Sequence, residues 1–184
     1  MDLENVRNSI NLDKKNYLGK KYLIYKITNH QNYIYFKALK YNRLYRFYKN
    51  NHSGIINKIK YLYYIKMKNQ YCNSYCLELN GSHIGDNLII YHNNIVVNEK
   101  SKIGNNCKLH GNNCIGNNGF SNDCPQIGDN VDIGYGTVII GNIKISDNIV
   151  IGANSVVNKD LLESDSIYAG CPAKLIRRKN ERDN

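Results

Sequence analysis

The chain has 184 residues and a formal net charge of +10, and this length suffices for one domain with its own core and a small appendage. It contains no apolar run of about 18 residues, so it predicts no transmembrane helix. Its polar start, MDLENVRNSINLDKK, is unlike a secretory signal and predicts a cytoplasmic protein.

The positive charge is concentrated in the first part of the chain. Residues 1–77 hold 15 Lys and Arg against 3 acids, whereas residues 78–184 hold 10 against 12. The first part also holds 13 of the 16 Tyr residues. This change of composition predicts three segments, which are a basic Tyr-rich helical segment at 1–76, a second domain at 77–170 and a C-terminal tail at 171–184.

Two helices are predicted in the basic segment, at 33–49 and 55–68. Aliphatic and Tyr residues recur there at steps of three and four, on either side of the break Ser53-Gly54. We expect their apolar faces to pack on the second domain or on a neighbouring subunit, with Lys reaching into water. Contact with the inner face of an anionic membrane is the alternative. No DNA or RNA motif is present, so no nucleic-acid partner is predicted.

The second part repeats with a step of six residues. One residue is inserted between the second and third members of the series, and position 121 falls in a predicted loop at 117–126. The aliphatic residues of the series are Ile84, Ile90, Val97, Ile103, Leu109, Ile115, Ile127, Ile133, Ile139, Ile145, Ile151 and Val157.

A step of six fits neither an α-helix nor a simple strand. Three hexapeptides form one triangular turn of a left-handed parallel β-helix, with Gly and Asn at the corners. The predicted fold class is therefore mainly β, a left-handed parallel β-helix of hexapeptide repeats with a short N-terminal α-helical segment. An ordinary β-sandwich is the alternative.

Two histidines, His92 and His110, stand 18 residues apart, which is one turn of such a coil. We expect both imidazoles on one face of neighbouring coils, separated by about 5 Å of rise. Imidazole titrates near neutral pH and is suited to remove a hydroxyl proton. The six cysteines follow no metal-binding spacing, so neither a metal site nor a disulfide is predicted.

The stretch from Ile84 to Lys174 resembles serine acetyltransferases and, more closely, the related O-acetyltransferases of capsule and exopolysaccharide gene clusters. The matching pieces include LIIYHNNIVVNEKSKIGNNC, KLHGNNCIG, PQIGDNVDIGYGTVIIG and YAGCPAKLI. The resemblance implies a homotrimer whose active sites lie between neighbouring β-helices. It also implies acetyl-CoA as co-substrate and no metal.

The resemblance assigns roles to several residues. His92, in HNNIVV, corresponds to the catalytic general base of the family. His110 is implied in a supporting or substrate-binding role. Glu78 is the carboxylate nearest to the family's acid partner of the base. Asp123 and the neighbour of the base, Asn93, are expected to bind the acceptor.

One departure from the family concerns the acceptor. The sequence reads Asp123-Cys124-Pro125 where serine acetyltransferases carry Asp-His-Pro. Cys124 therefore replaces a histidine that helps to hold the amino-acid acceptor in that family, and it is expected to contact a different acceptor here. This exchange argues against serine as the substrate.

The resemblance places acetyl-CoA along the later coils. Its pantetheine arm would follow the backbone near four residues, and its nucleotide phosphates would meet two lysines. The residues are Gly134, Tyr135, Ala153 and Asn154 for the arm, and Lys159 and Lys174 for the phosphates.

The predicted function is acetyl-CoA-dependent O-acetyl transfer to a sugar hydroxyl of a surface polysaccharide or its precursor, with His92 as general base. A serine O-acetyltransferase is the alternative, and a non-catalytic β-helix scaffold is a further alternative. The chain ends in RRKNERDN instead of the terminal Ile with which the family docks into cysteine synthase, so that partner is not expected.

Overall fold

A computed structural model describes residues 2–80 and 82–180. The chain packs into two compact units, Met1–Gly81 and Ser82–Asn184, which we call the N-terminal unit and the C-terminal unit. The segment limits drawn from composition, 76/77 and 170/171, remain a prediction about domain organisation. Among the described residues, no helix is both long and apolar enough to cross a membrane.

The N-terminal unit is helical. Its helices are α1 (Leu3–Leu18), a short 3-10 helix (Gly19–Lys21), α2 (Tyr22–Ile27), α3 (Gln31–Asn50) and α4 (Ile55–Asn73), and a short strand, β1 (Leu77–Glu78), follows. The two predicted helices lie within α3 and α4. Asp2 begins α1 by accepting a hydrogen bond from the Asn5 amide at 2.8 Å. Gly54, at φ +81°, separates α3 from α4.

The Tyr residues of this unit pack on one another. Tyr41 stacks on Tyr71 with ring centroids 5.4 Å apart, and Tyr48 stacks on Tyr64 at 5.2 Å. Tyr41 and Tyr48 form a small core with Val6 and Leu44, against which partly buried residues of α1, α3 and α4 pack. The Tyr residues thus form part of the interior of this unit, because each ring contributes a large apolar area.

One ion pair lies inside the helical unit. The Arg43 Nε donates to the Asp13 Oδ2 at 2.8 Å, and the two side chains are only 7% and 0% exposed. This pair joins α1 to α3. Both charges are removed from water, so each depends on the other for compensation.

The C-terminal unit consists of short strands joined by tight corners. The strands are β2 (His83–Ile84), β3 (Ile89–Ile90), β4 (Ile95–Val97), β5 (Lys102–Ile103), β6 (Lys108–Leu109), β7 (Cys114–Gly116), β8 (Gln126–Ile127), β9 (Asp132–Ile133), β10 (Val138–Ile140), β11 (Lys144–Ile145), β12 (Val150–Ile151), β13 (Val156–Val157), β14 (Ser166–Gly170) and β15 (Ala173–Arg178).

Every third strand pairs in parallel, which produces three faces. The first face has β2, β5, β8 and β11, the second has β3, β6, β9, β12 and β14, and the third includes β4, β7, β10 and β13. The twelve aliphatic residues of the six-residue series all point inward and are at most 4% exposed. This is the predicted left-handed parallel β-helix.

Asparagine makes many of the corners. Asn87, Asn106, Asn130 and Asn148 follow the first face and have φ between 55° and 61°, the left-handed region that Asn tolerates better than most residues. Residues 117–125, between β7 and β8, form no helix or strand. Near the C-terminus, β15 pairs antiparallel with β14; residues 181–184 of the predicted tail lie outside the described range.

The cysteines divide into two groups. Cys72, Cys107 and Cys124 are buried, whereas Cys76, Cys114 and Cys171 are exposed. Burial raises the pKa of both Cys72 and Cys107 to about 11. At pH 8 these two thiols therefore stay protonated, with only about 0.1% present as the reactive thiolate.

We expect a thiol reagent such as Ellman's reagent to react at pH 8 with the three exposed cysteines first. The three buried cysteines should react only when the protein is unfolded by denaturant. The time course of thionitrobenzoate release, with each labelled cysteine identified by peptide mass, checks this. Labelling of Cys107 as fast as Cys171 would contradict the burial of the coil interior.

Candidate active site

A cleft of about 390 Å³ opens on the C-terminal unit where the second face turns into the third. His92, Asn93, His110 and Tyr135 line it. Both histidines singled out by their spacing therefore reach one site, together with Asn93, predicted to bind the acceptor, and Tyr135, predicted to bind the cofactor.

The inserted residue determines what lies above each histidine. Ile90 pairs with Leu109, and Val97 pairs with Ile115. The two paired positions are therefore seven residues apart in one coil and six residues apart in the next. Tyr91 consequently stands over His110, with ring centroids 4.7 Å apart. His92 therefore stands one residue beyond the position that pairs with His110, and the two rings lie on neighbouring coils.

Gly111 makes room for His92. A side-chain carbon at Gly111 would lie 2.6 Å from the His92 Cβ, and Gly111 has φ +109°. The buried Asn113 holds this corner, because its Oδ1 accepts from the Gly111 amide at 2.9 Å and its Nδ2 donates to the Gly134 carbonyl at 2.8 Å. The Asn113 side chain thus supports the floor of the cleft.

Tyr135 approaches His92 across this gap. The Gly136 amide donates to the Gly111 carbonyl at 3.0 Å, which places Tyr135 on the coil below Gly111. The rings of His92 and Tyr135 meet edge to face with centroids 6.4 Å apart. Side chains two coils apart can meet only because the residue between them has no side chain.

His110 is held by a carboxylate. Its Nε2 lies 2.7 Å from the Asp132 Oδ1, and the other carboxylate oxygen accepts from the Lys108 Nζ at 3.1 Å. An ionised carboxylate can only accept, so the Nε2 carries a proton and, in the neutral ring, Nδ1 keeps its lone pair. The hydrogen bond to Asp132 raises the pKa of Lys108, which stays protonated.

His92 has a different environment. Within the described residues of its unit, its ring contacts Tyr135 and no hydrogen bond to a carboxylate is found. The ring is exposed at the corner. Among the described residues of this unit, the cleft imidazole that has an acid partner is His110, and the acid is Asp132. Glu78, which belongs to the N-terminal unit, stays a prediction as the acid partner of His92.

Three further residues were predicted to contribute to the site. Glu78 is exposed on β1, in the N-terminal unit. Asp123 is exposed in the loop before β8, and its amide donates to the Ser121 Oγ at 2.9 Å. Cys124 is buried, with its thiol 3.8 Å from the Asn122 carbonyl. Neither Asp123 nor Cys124 lines the cleft of the single chain.

Four of the residues expected to hold acetyl-CoA, namely Gly134, Tyr135, Ala153 and Asn154, lie close together. The Asn154 amide donates to the Tyr135 carbonyl at 2.8 Å, and a side-chain carbon at Gly134 would meet the Ala153 amide at 2.5 Å. These four residues thus form adjacent corners of two coils. Lys159 and Lys174 are both exposed in the same unit.

Asp132 was missed by sequence reasoning. It follows Lys108 by 24 residues, which is one coil of 18 plus the six extra residues of the loop. Lys108 and Asp132 could therefore have been recognised in the sequence as a cation and an anion at equivalent outward positions of neighbouring coils, provided that the six extra loop residues were counted as an insertion.

No family model and no curated protein matches this chain. Solved structures do match. Soybean serine acetyltransferase complexed with serine is 28% identical with a TM-score of 0.68, over 79% of this chain and 58% of that chain. The soybean apoenzyme is 25% identical with a TM-score of 0.74, over 93% and 69% of the two chains.

A further serine acetyltransferase, solved in complex with CoA, is 20% identical with a TM-score of 0.72, over 95% of this chain and 71% of that chain. These similarities show the fold of an acetyltransferase β-helix. The present chain spans 58% of the first soybean structure. The three structures named above are serine acetyltransferases, so they do not support a closer relation to the glycan O-acetyltransferases.

Proposed function

We propose that this protein transfers the acetyl group of acetyl-CoA to a hydroxyl group, and that serine is the first acceptor to test. The observation that carries the proposal is the His110–Asp132 hydrogen bond in an open cleft, on a fold similar to acetyltransferases. Acetyl transfer to an alcohol requires a base near neutral pH, and a carboxylate-held imidazole is such a base.

In this proposal, an imidazole takes the proton of the acceptor hydroxyl as its oxygen attacks the thioester carbonyl. The carbon–sulfur bond breaks, and the thiol of CoA leaves with a proton. His110 is favoured for the proton transfer because Asp132 fixes its orientation and stabilises the imidazolium that forms. His92, the base implied by resemblance, is the alternative and would contact the acceptor in the same cleft.

Serine is favoured as the acceptor by the similarity to an enzyme solved with serine. A sugar hydroxyl is the second candidate. The exposed rings of Tyr91 and Tyr135 flank the imidazoles and offer flat apolar faces, which suit the face of a sugar ring. The replacement of the family's loop histidine by Cys124 points in the same direction.

The co-substrate belongs to the same proposal. Backbone groups at Gly134, Tyr135, Ala153 and Asn154 would hold the pantetheine arm beside the cleft, since Tyr135 belongs to both. Lys159 and Lys174 would meet the phosphates. A homotrimer, in which Asp123 and Cys124 would approach the site of a neighbour, is proposed from the resemblance, and the molecular mass in solution tests it.

Release of the CoA thiol from acetyl-CoA tests the function. We expect L-serine to raise this release at least about tenfold over the rate without acceptor, with O-acetylserine identified by mass. If serine does not, and a sugar from a panel of monosaccharides and oligosaccharides does, the second candidate holds. The absence of stimulation by any acceptor, together with no binding of CoA by calorimetry, would remove the proposal.

A further inference from the structure

Helix α4 is apolar on two sides. One side carries Tyr61, Tyr64, Met67 and Tyr71, which pack into the core of the N-terminal unit. A second side carries five large apolar residues that are 50–73% exposed, which we call the outer stripe. The residues of the outer stripe are Ile55, Ile56, Ile59, Leu62 and Tyr63.

The spacing makes the outer stripe continuous. Ile55, Ile59 and Leu62 follow each other at steps of four and three, and Ile56 and Tyr63 lie alongside, so all five share one face of the helix. A surface helix normally has a single apolar face. A second one, contiguous and exposed, marks a surface that binds something.

The charges around the stripe indicate what it binds. Between positions 14 and 77 the chain has 14 Lys and Arg and no acidic residue. Lys58 and Lys66 are exposed beside the stripe. Lys60 and Lys68 lie instead over the inner rings of Tyr48 and Tyr45, at 5.6 and 5.0 Å from the centroids. All the charged side chains of α4 are therefore cations.

The same combination recurs on α2. Leu23, Ile24 and Ile27 are 62–73% exposed, and Lys21 and Lys26 stand among them. Two separate helices of the unit thus present aliphatic side chains among lysines.

These features favour one occupant. A second copy of this helix would bring Lys58 and Lys66 against like charges with no acid to pair with them. Nucleic acid binds through flat aromatic rings and hydrogen-bond donors and gains little from Ile and Leu. An anionic bilayer suits both the apolar residues of the stripe and the lysines, because aliphatic side chains enter the acyl region and lysines contact the headgroups.

We propose that the outer stripe of α4 lies in the surface of an anionic lipid bilayer, with the helix parallel to the membrane plane. The inner side of α4 stays packed on the N-terminal unit. Binding is peripheral and depends on both apolar burial and negative lipid charge.

Co-sedimentation of the full chain with lipid vesicles tests this. We expect binding to vesicles of phosphatidylcholine with about 30% phosphatidylglycerol, binding at least about tenfold weaker to pure phosphatidylcholine, and loss in high salt. The double variant Ile59→Gln and Leu62→Gln should bind the anionic vesicles about tenfold more weakly. These side chains are 60% and 64% exposed, so the variant should fold, as its circular dichroism will show.

The chain offers a matched control. Ile176 and Leu162, in the C-terminal unit, are 61% and 65% exposed, so the double variant Ile176→Gln and Leu162→Gln removes equal exposed apolar area. It should bind anionic vesicles like the unchanged protein. Absent binding to anionic vesicles at low salt would overturn the proposal, as would equal weakening in both double variants. A stripe variant that changes the mass in solution but not vesicle binding would show that a second copy covers the stripe.

Discussion

The variant His110→Ala is expected to lower kcat by about 10²–10⁴-fold with a smaller change in KM, because the proposed base is lost while the cleft remains. Asp132→Asn should lower kcat by about 10²-fold, since a neutral amide neither stabilises the imidazolium nor sets the ring proton on Nε2. Steady-state rates of acetyl-CoA consumption with the best acceptor provide the measurement.

Two controls isolate the His110–Asp132 pair. Lys108→Gln removes the other partner of Asp132 and should change kcat by less than about threefold. His52→Ala removes an exposed histidine of the N-terminal unit and should have no effect. If His110→Ala keeps full activity while His92→Ala loses it, then His92 is the base and the Asp132 pair is structural.

The variant Arg43→Met is expected to lower the free energy of unfolding of the N-terminal unit by about 3–5 kcal/mol, because the Asp13 carboxylate would stay buried while the Arg43 guanidinium is lost. Asp13 has no exposed side-chain area. Replacing both residues, as in Asp13→Leu with Arg43→Met, should recover much of this loss, since no uncompensated charge is left. Urea denaturation followed by circular dichroism measures each value.

Arg178→Met is the matched control for this substitution. Arg178 pairs with Glu163 at 3.1 Å, but the two side chains are 65% and 47% exposed, so the loss should stay below about 1 kcal/mol. Equal losses from Arg43→Met and Arg178→Met would mean that burial does not determine the strength of the Asp13 pair.

The β-helix could be predicted from the sequence because one requirement, an aliphatic residue at every inward-pointing position, recurs along its core. Every sixth residue from Ile127 to Val157 is aliphatic and points inward, and Gly or Asn at the corners permits the turns. The sequence also indicated both cleft histidines. In such a repeat each coil contacts mainly its neighbours, so the fold depends little on contacts between residues distant in the sequence.

The partners of the cleft residues and the helix α1 depended on local insertions and on tertiary packing, which the six-residue period does not reveal. The length of the loop before β8 decides that Asp132 lies beside Lys108 and His110. The inserted residue before Val97 decides that Tyr91 covers His110. Helix α1 falls within the predicted helical segment, but its bounds were not predicted, because it is mostly polar and its few apolar side chains, such as Val6, are buried only by packing in the core that α1 forms with α3 and α4.

The extra residue at the corner between Ile90 and Val97 has a consequence for how such sites diversify. The aliphatic residues on both sides keep their partners in the next coil, so the corner changes length at no cost to the core. A single insertion or deletion there would exchange which side chain faces His110 and Tyr135 in one step. Acceptor preference in a coil of this kind can therefore change by length variation at one corner, with the stability of the scaffold left intact.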